Sequence, residues 1–406
     1  MQKKLLGLAV AGALAAPGLA LAQVEVYGFV NMSVGKVKYS EPTQNAGNIG
    51  VGSVSKWDVM SHASNYGIRG RENIGGGQTA WFQIEQNAPM ERSNNVAITP
   101  ASRNSAVGIQ GAWGNAFMGQ WTTPWADLDA LWGVGTVGGL GPITSIIGRR
   151  ETTGTAPNYN CAGGHGVAGA CDAIEAAGGV GHPFWKRISN AVFYQSPVFA
   201  GVQVKLAYQT NEGKATTGVV ADPSMWSSSV QWAGLGGRVR VGAAFDAHKD
   251  FTTPGETDSG FRVTGGWNFG FADLGLAYET MTYKTVGGDC DAKQMGIGLA
   301  VPIGQGAIRA SYAVADDIDG PTASCAPANP AGGTAGGDNG AKTWNIGYEY
   351  RFSKRTTVGI GYATIENDAD ATFTWTGAPP NQGGASNGPL PGSDPSTFFV
   401  NMVHRF

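Results

Sequence analysis

Charge is scarce in this chain. Asp, Glu, Lys and Arg make up 14% of its 406 residues, where a soluble domain covers itself with about 25%. Long apolar runs are missing as well. Beyond the first 22 residues no stretch approaches the ~18 consecutive apolar side chains of a membrane-crossing helix, which excludes a helical membrane protein. Basic side chains do not dominate, at 27 against 30 acidic ones, so nothing favours a nucleic-acid partner. The five histidines (His62, His165, His182, His248, His404) accompany no nucleophile motif. Cysteine is limited to four, and the gaps of ten and 35 residues do not resemble a zinc site, with only His165 nearby. No metal or cofactor is expected.

What is abundant is glycine, 64 residues, more than twice the usual ~7%. At the N-terminus, Lys3 and Lys4 precede an apolar stretch from Leu5 to Ala16, interrupted by Pro17. Ala20-Leu21-Ala22 then supplies the small-x-small pattern of a signal-peptidase site. A helix needs about 20 residues to cross ~30 Å of hydrocarbon, so this run is too short to span. Residues 1–22 are expected to be a cleaved secretory signal and 23–406 a single domain; an interfacial anchor helix is the alternative. Two of the 27 basic residues leave with the signal, so 25 face 30 acids, a net charge of −5.

Period-2 alternation runs through the rest of the chain. Val202, Val204, Leu206 and Tyr208 alternate with Gln203, Lys205, Ala207 and Gln209; Trp344, Ile346, Tyr348, Tyr350 and Phe352 alternate with Asn345, Gly347, Glu349 and Arg351. The same pattern spans 294–303 and 358–363, with similar runs at 24–34, 66–72, 188–196, 239–248, 261–269 and 307–315. Each reads as a strand with one apolar face and one face of glycine, polar or charged residues. The chain ends in such a strand, with Phe398, Val400, Met402 and the terminal Phe406 in phase and His404 as the exception. A soluble β-sandwich also alternates, so parity alone leaves both readings open. Aromatic residues favour lipid: Tyr208, Trp267, Tyr278, Tyr312, Tyr350 and Phe352 recur near strand ends on the apolar face, as interfacial girdles require.

Connections alternate in length. Tight turns are expected at 73–77, 113–115, 199–201, 235–237, 304–306 and 353–355, and long loops at about 37–63, 123–186, 211–225, 316–341 and 367–395. Short turns on one rim and long loops on the other are the asymmetry of a transmembrane antiparallel β-barrel. The runs amount to about sixteen strands, an even number that puts both termini on the short-turn, periplasmic side. The longest loop, 123–186, follows the fifth strand, and a loop of that size in a compact domain is normally functional. Folded inwards, it would narrow the lumen.

Several segments, in order and spacing, resemble the general porins of Gram-negative bacteria, in particular the trimeric outer-membrane porins of β-proteobacterial and neisserial type. They are Val24-Glu25-Val26-Tyr27-Gly28, the run from Tyr66 to Gly77, Trp81 to Gln86, Asn190 to Pro197, Tyr348 to Thr356, and His404-Arg405-Phe406. Two departures stand out. Asn65 replaces the arginine common before the aromatic-Gly pair, and Gly119-Gln120-Trp121 replaces a usual Gly-Arg-Gln. The resemblance implies a passive, water-filled channel for small hydrophilic solutes and ions, seated as a homotrimer in outer-membrane lipid. Phe406 would be read by the barrel-insertion machinery.

It also implies a constriction with basic wall residues facing acids on the third loop, a transverse field that sets ion preference. By parity, the lumen-facing basic candidates are Arg69, Arg71, Lys205, Arg240, Arg262, Arg309, Arg351 and Arg405. The acidic ones are Glu25, Glu85, Asp246, Glu279 and Glu349, so the wall is net positive by about three. Asp127, Asp129 and Glu151 head the loop acids, followed by Asp172 and Glu175, while Arg149, Arg150, Lys186 and Arg187 belong to the same loop. Arg69 and Arg71 concentrate charge on one strand face; equally, they could bridge to Glu25 or Glu85 as structural pairs. A mild anion preference is the expectation. An even cysteine count in a disulfide-permissive compartment allows three pairings, of which Cys161–Cys171 and Cys290–Cys325 are expected, all four residues lying in long-side loops. The alternatives are a substrate-specific channel such as a sugar porin, a barrel enzyme, and a soluble secreted β protein. For the first, Trp121, Trp125, Trp132 and Trp185 could form an aromatic slide, or simply pack the loop against the wall.

Overall fold

The computed structural model describes residues 23–43, 50–91, 101–148, 184–210, 222–321, 325, 338–375 and 389–406. Its strands are β1 (Gln23–Tyr39), β2 (Val54–Ser61), β3 (Asn65–Gly75), β4 (Gln78–Asn87), β5 (Ser105–Gly111), β6 (Gly114–Thr122), β7 (Arg187–Gln195), β8 (Val202–Gln209) and β9 (Ser224–Gly234). They continue with β10 (Val239–Lys249), β11 (Thr257–Asn268), β12 (Asp273–Thr285), β13 (Gly288–Ile303), β14 (Gly306–Ala315), β15 (Ala341–Arg351), β16 (Thr356–Asn367) and β17 (Pro395–Arg405). Two single-turn helices, α1 (Pro124–Asp127) and α2 (Asp129–Trp132), follow β6.

Every strand pairs antiparallel with its neighbours, and β1 closes the circle. One edge of β1 pairs with β17, from Phe29↔Arg405 to Tyr39↔Pro395. Its other edge pairs with β2 from Met32↔Ser61 to Tyr39↔Val54, and with β3 from Gln23↔Arg71 to Phe29↔Asn65. β2 and β3 therefore occupy one place in the wall, interrupted at His62-Ala63-Ser64, and the 17 segments make sixteen wall positions. Phe406 is tied back to Gly28 by two backbone hydrogen bonds of 3.1 and 3.2 Å. Closure leaves no sheet edge, so the wall's backbone polar groups pair with each other rather than needing water.

The two faces are inverted relative to a soluble protein. On β13, Met295, Ile297 and Leu299 are 49%, 41% and 38% exposed, while Gln294 between strands is 2% exposed. Phe398, Val400 and Met402 on β17 are likewise exposed while Asn401 is buried. Burying polar groups and exposing apolar ones is favourable only where the outside is hydrocarbon. The apolar face therefore looks out, with Tyr208, Trp267, Tyr278, Tyr312 and Phe352 on it.

Three expectations about connections need correction. The region 37–63 is not one loop: β1 runs on to Tyr39 and β2 begins at Val54. The long-loop rim also carries one tight hairpin, because β12 and β13 pair down to Thr285↔Gly288. Cys290 consequently lies within β13 rather than in a loop, and its disulfide to Cys325 (Cα–Cα 5.4 Å) ties that strand to the loop after β14. Pro395 opens β17 instead of closing the preceding loop. Glu151, Asp172, Glu175, Arg149, Arg150, Cys161 and Cys171 lie outside the described residues.

Candidate functional site

The segment 123–148 is held against the polar, inner face of the wall. Thr123 caps α1 by accepting from the Ala126 amide at 3.3 Å, and Pro124 occupies the first helical turn, where no amide is needed. Trp125 (0% exposed) and Leu128 (0%) then pack beneath the loop with Phe184, Met281 and Tyr283. The loop's backbone next runs so close to β12 that a Cβ on Gly275 would collide with the Trp132 carbonyl. Glycine on the inner face is thus a groove into which a second layer of chain fits.

Half of the basic residues expected on the wall grip this segment. Lys205 pairs with Asp127 at 2.9 Å. Arg262, fully buried, pairs with Asp129, donates to the Trp125 carbonyl at 3.0 Å, and has Glu279 3.4 Å from its Nε. Arg240 donates to the Leu131 carbonyl at 3.3 Å and pairs with Asp273 at 2.6 Å. Arg309 donates to the Val134 carbonyl and pairs with Glu349 at 2.7 Å. Further along, Asn345 donates to the Gly135 carbonyl at 2.9 Å, Asn31 donates to the Gly138 carbonyl at 3.2 Å, and the Gly148 amide donates to Gln294 at 3.0 Å and to Glu279. An arginine beside an orphan carbonyl and a carboxylate satisfies both at once. These side chains are struts between loop and wall.

Asp246, expected in the lumen, is buried beside His248, with 3.7 Å between carboxylate and ring. Trp125 and Trp132 are buried at 0% and 1% and pack the loop, and Trp185 donates to Asp129 at 2.6 Å. These three form no slide. Only Trp121 stays on the wall.

The wall from β3 to β7 carries a second set of charges, separate from those that grip segment 123–148. Here Arg69 bridges to Glu25 at 2.8 Å and lies over the Tyr27 ring. Arg71, Arg351 and Arg405 have no carboxylate within ion-pairing distance among the described residues and are exposed. Arg103, to which parity gave no weight because it lies in a connection, pairs with Glu85 at 2.7 Å and donates to Asn87 at 3.1 Å. Arg187 donates from Nε to Asn104 at 2.7 Å and also lacks an ion pair among the described residues. Asp273, absent from the expected wall acids, shares the parity of Glu279 on β12.

A family model described as Gram-negative porin matches residues 7–370. The chain is 25% identical to outer membrane porin protein 32 of Delftia acidovorans, with 92% of each chain covered. It is 22% identical to an outer membrane porin protein of Bordetella pertussis, covering 88% of this chain and 92% of that one. Among solved structures, an anion-selective porin from Comamonas acidovorans superposes with a TM-score of 0.68 at 20% identity, covering 95% of this chain and 100% of the other. That likeness is one of fold.

Proposed function

The chain belongs to the Gram-negative porin family, and on that premise we propose that it is a general-diffusion channel with a mild preference for anions. It resides in the outer membrane, and its family is one of channels for small solutes rather than of enzymes. We assign residues 1–22 to a signal, three copies to the assembly, and Phe406 to recognition by the insertion machinery. Segment 123–148 is the inner half of a constriction whose other half is the β3–β7 wall.

One observation carries the anion reading. The acids of the described loop segment are already neutralised, Asp127 by Lys205 and Asp129 by Arg262. What faces the remaining aperture is basic: Arg71 and Arg187 stand without carboxylate partners, while Glu25 and Glu85 are each matched by an arginine. Towards the short-turn rim, Arg351, Lys354 and Arg405 line a further cavity. Rings of unmatched positive charge raise the local concentration of anions.

Zero-current potentials across a KCl gradient in planar bilayers test this. The wild-type protein is expected to show chloride more permeant than potassium, and Arg187→Gln to bring the ratio closer to one. A potential of the sign set by potassium overturns the assignment.

A further inference from the structure

A cluster of aromatic side chains on the inner face of β4, β6 and β7 has no part in holding the loop. Trp81, Phe117 and Phe193 stand in one lateral row, through the pairs Trp81↔Gly108, Gly108↔Phe117 and Phe117↔Phe193. Trp81 and Phe117 lie 5.3 Å apart, Phe117 and Phe193 stack at 4.8 Å, and Trp121 stands edge-on to both Trp81 (5.9 Å) and Phe117 (5.2 Å). Phe117 and Phe193 are buried at 4% and 5%, but Trp81 and Trp121 remain partly open to the lumen.

The wall is cut to fit Trp81. A Cβ on Gly108 would stand 2.9 Å from the indole, so glycine there lets the ring lie across β5. Asn115 accepts from the indole Nε1 at 2.8 Å and fixes the ring's rotation. The neighbouring inner positions, Ala106, Gly119 and Ala191, are small; Ala106 and Gly119 stay partly open and form a shallow trough over β5 and β6, closed at β7 where Ala191 is buried at 3%. The open parts of Trp81 and Trp121 present flat apolar surface to water at a cost that a bulk-solvent channel does not require.

Positive charge frames the same trough. Arg71 is the register partner of Trp81 on β3. On the other side Trp121 pairs with Ile188 and Thr122 with Arg187. Asn104 Oδ1 accepts from both Arg187 Nε (2.7 Å) and the Thr122 amide (3.1 Å), which ties the guanidinium to the residue that follows Trp121 on the strand. A flat ring surface with a guanidinium at its border matches a flat ring bearing a carboxylate. Stacking supplies one contact and a charge-assisted hydrogen bond the other.

We propose that this trough is a subsite for aromatic carboxylates, with the ring on Trp81 and Trp121 and the carboxylate at Arg187. The proposal rests on the anion-passage reading, which it refines from charge alone to charge plus shape.

Benzoate and cyclohexanecarboxylate, equal in charge and similar in size, separate the two. Each is titrated against the chloride current of the wild-type channel in planar bilayers. Benzoate is expected to lower the current saturably, with a half-point about five-fold below that of cyclohexanecarboxylate, the range of an aromatic pair. Trp121→Leu should erase the difference, Trp121→Phe should keep most of it, and Arg187→Gln should weaken both anions alike. Equal half-points in the wild type, or an unchanged preference in a conducting Trp121→Leu channel, overturn the subsite. Because the wild-type comparison needs no variant, failure of Trp121→Leu to insert does not rescue it. Loss of chloride selectivity in the same bilayers instead sinks the underlying anion reading, and the two failures are distinct.

Discussion

Arg262 shows how much a single side chain does in this barrel. It sits at 0% exposure with the Trp125 carbonyl, Asp129 and Glu279 around it. Removing one partner from a buried set leaves uncompensated charge, a cost of about 3–5 kcal/mol. Arg262→Met is expected to lower the unfolding midpoint in detergent and urea and to produce larger, noisier single-channel conductance, since Asp129 no longer anchors the loop. A second residue points the other way. Ala63 adopts a left-handed φ of 54°, a conformation that glycine reaches without the steric penalty of a Cβ. Ala63→Gly should therefore stabilise the barrel by up to about 1 kcal/mol, read as a higher thermal midpoint in the same detergent.

Among elements, the third loop depends on its groove. Gly275→Val pushes a side chain into the Trp132 carbonyl, so segment 129–135 must lift from β12; the channel should still insert, with altered conductance and faster proteolysis of the loop. The loop after β16 has a different sensitivity. Burial, then the neighbouring carboxylate Asp338, pushes the Asp368 and Asp370 carboxyls above the usual range, with Asp317 adding to the effect on Asp368. A carboxyl raised by folding favours the folded arrangement below its unfolded value and loses that advantage as pH rises through the folded one. Hydrogen exchange at 368–371, corrected for intrinsic rates, should thus be slower near pH 4 than at pH 8. Elements also show where sequence reading succeeded. Strands crossing the lipid were legible because hydrocarbon enforces one phase of alternation. Above it the phase inverts on β1, where Val37 and Tyr39 turn inwards at 0% exposure while Lys36 and Lys38 turn out. That inversion gives the end of β1 the look of a loop. The tight β12–β13 hairpin was hidden by glycine and aspartate, which resemble a long loop's start. The loop's path is illegible for another reason: beyond the pairs at Asp127 and Asp129 it is fixed largely through its backbone carbonyls and amides, which every sequence carries.

For the whole molecule, the expected selectivity is a property of the field. Unmatched arginines along an aqueous path act over about 10 Å at 0.1 M salt and about 3 Å at 1 M. The chloride-to-potassium permeability ratio should therefore fall towards one as the mean KCl concentration rises between those values, as zero-current potentials would record. Lys205, Arg240, Arg262 and Arg309, half of the basic residues that parity puts on the wall, are spent on the loop, so the expected field comes from the arginines left unpaired. The break at His62-Ala63-Ser64 has a consequence at this scale too. The turn at Gly138-Gly139 rests on that interruption: Asn31 holds the Gly138 carbonyl, and Gly139 lies against His62, whose Nε2 is 2.6 Å from the Ser33 hydroxyl. The part proposed to throttle the bore is also the keystone over this seam in its hoop. A wider passage cannot be had by trimming that turn alone; the joint beneath it must be mended first.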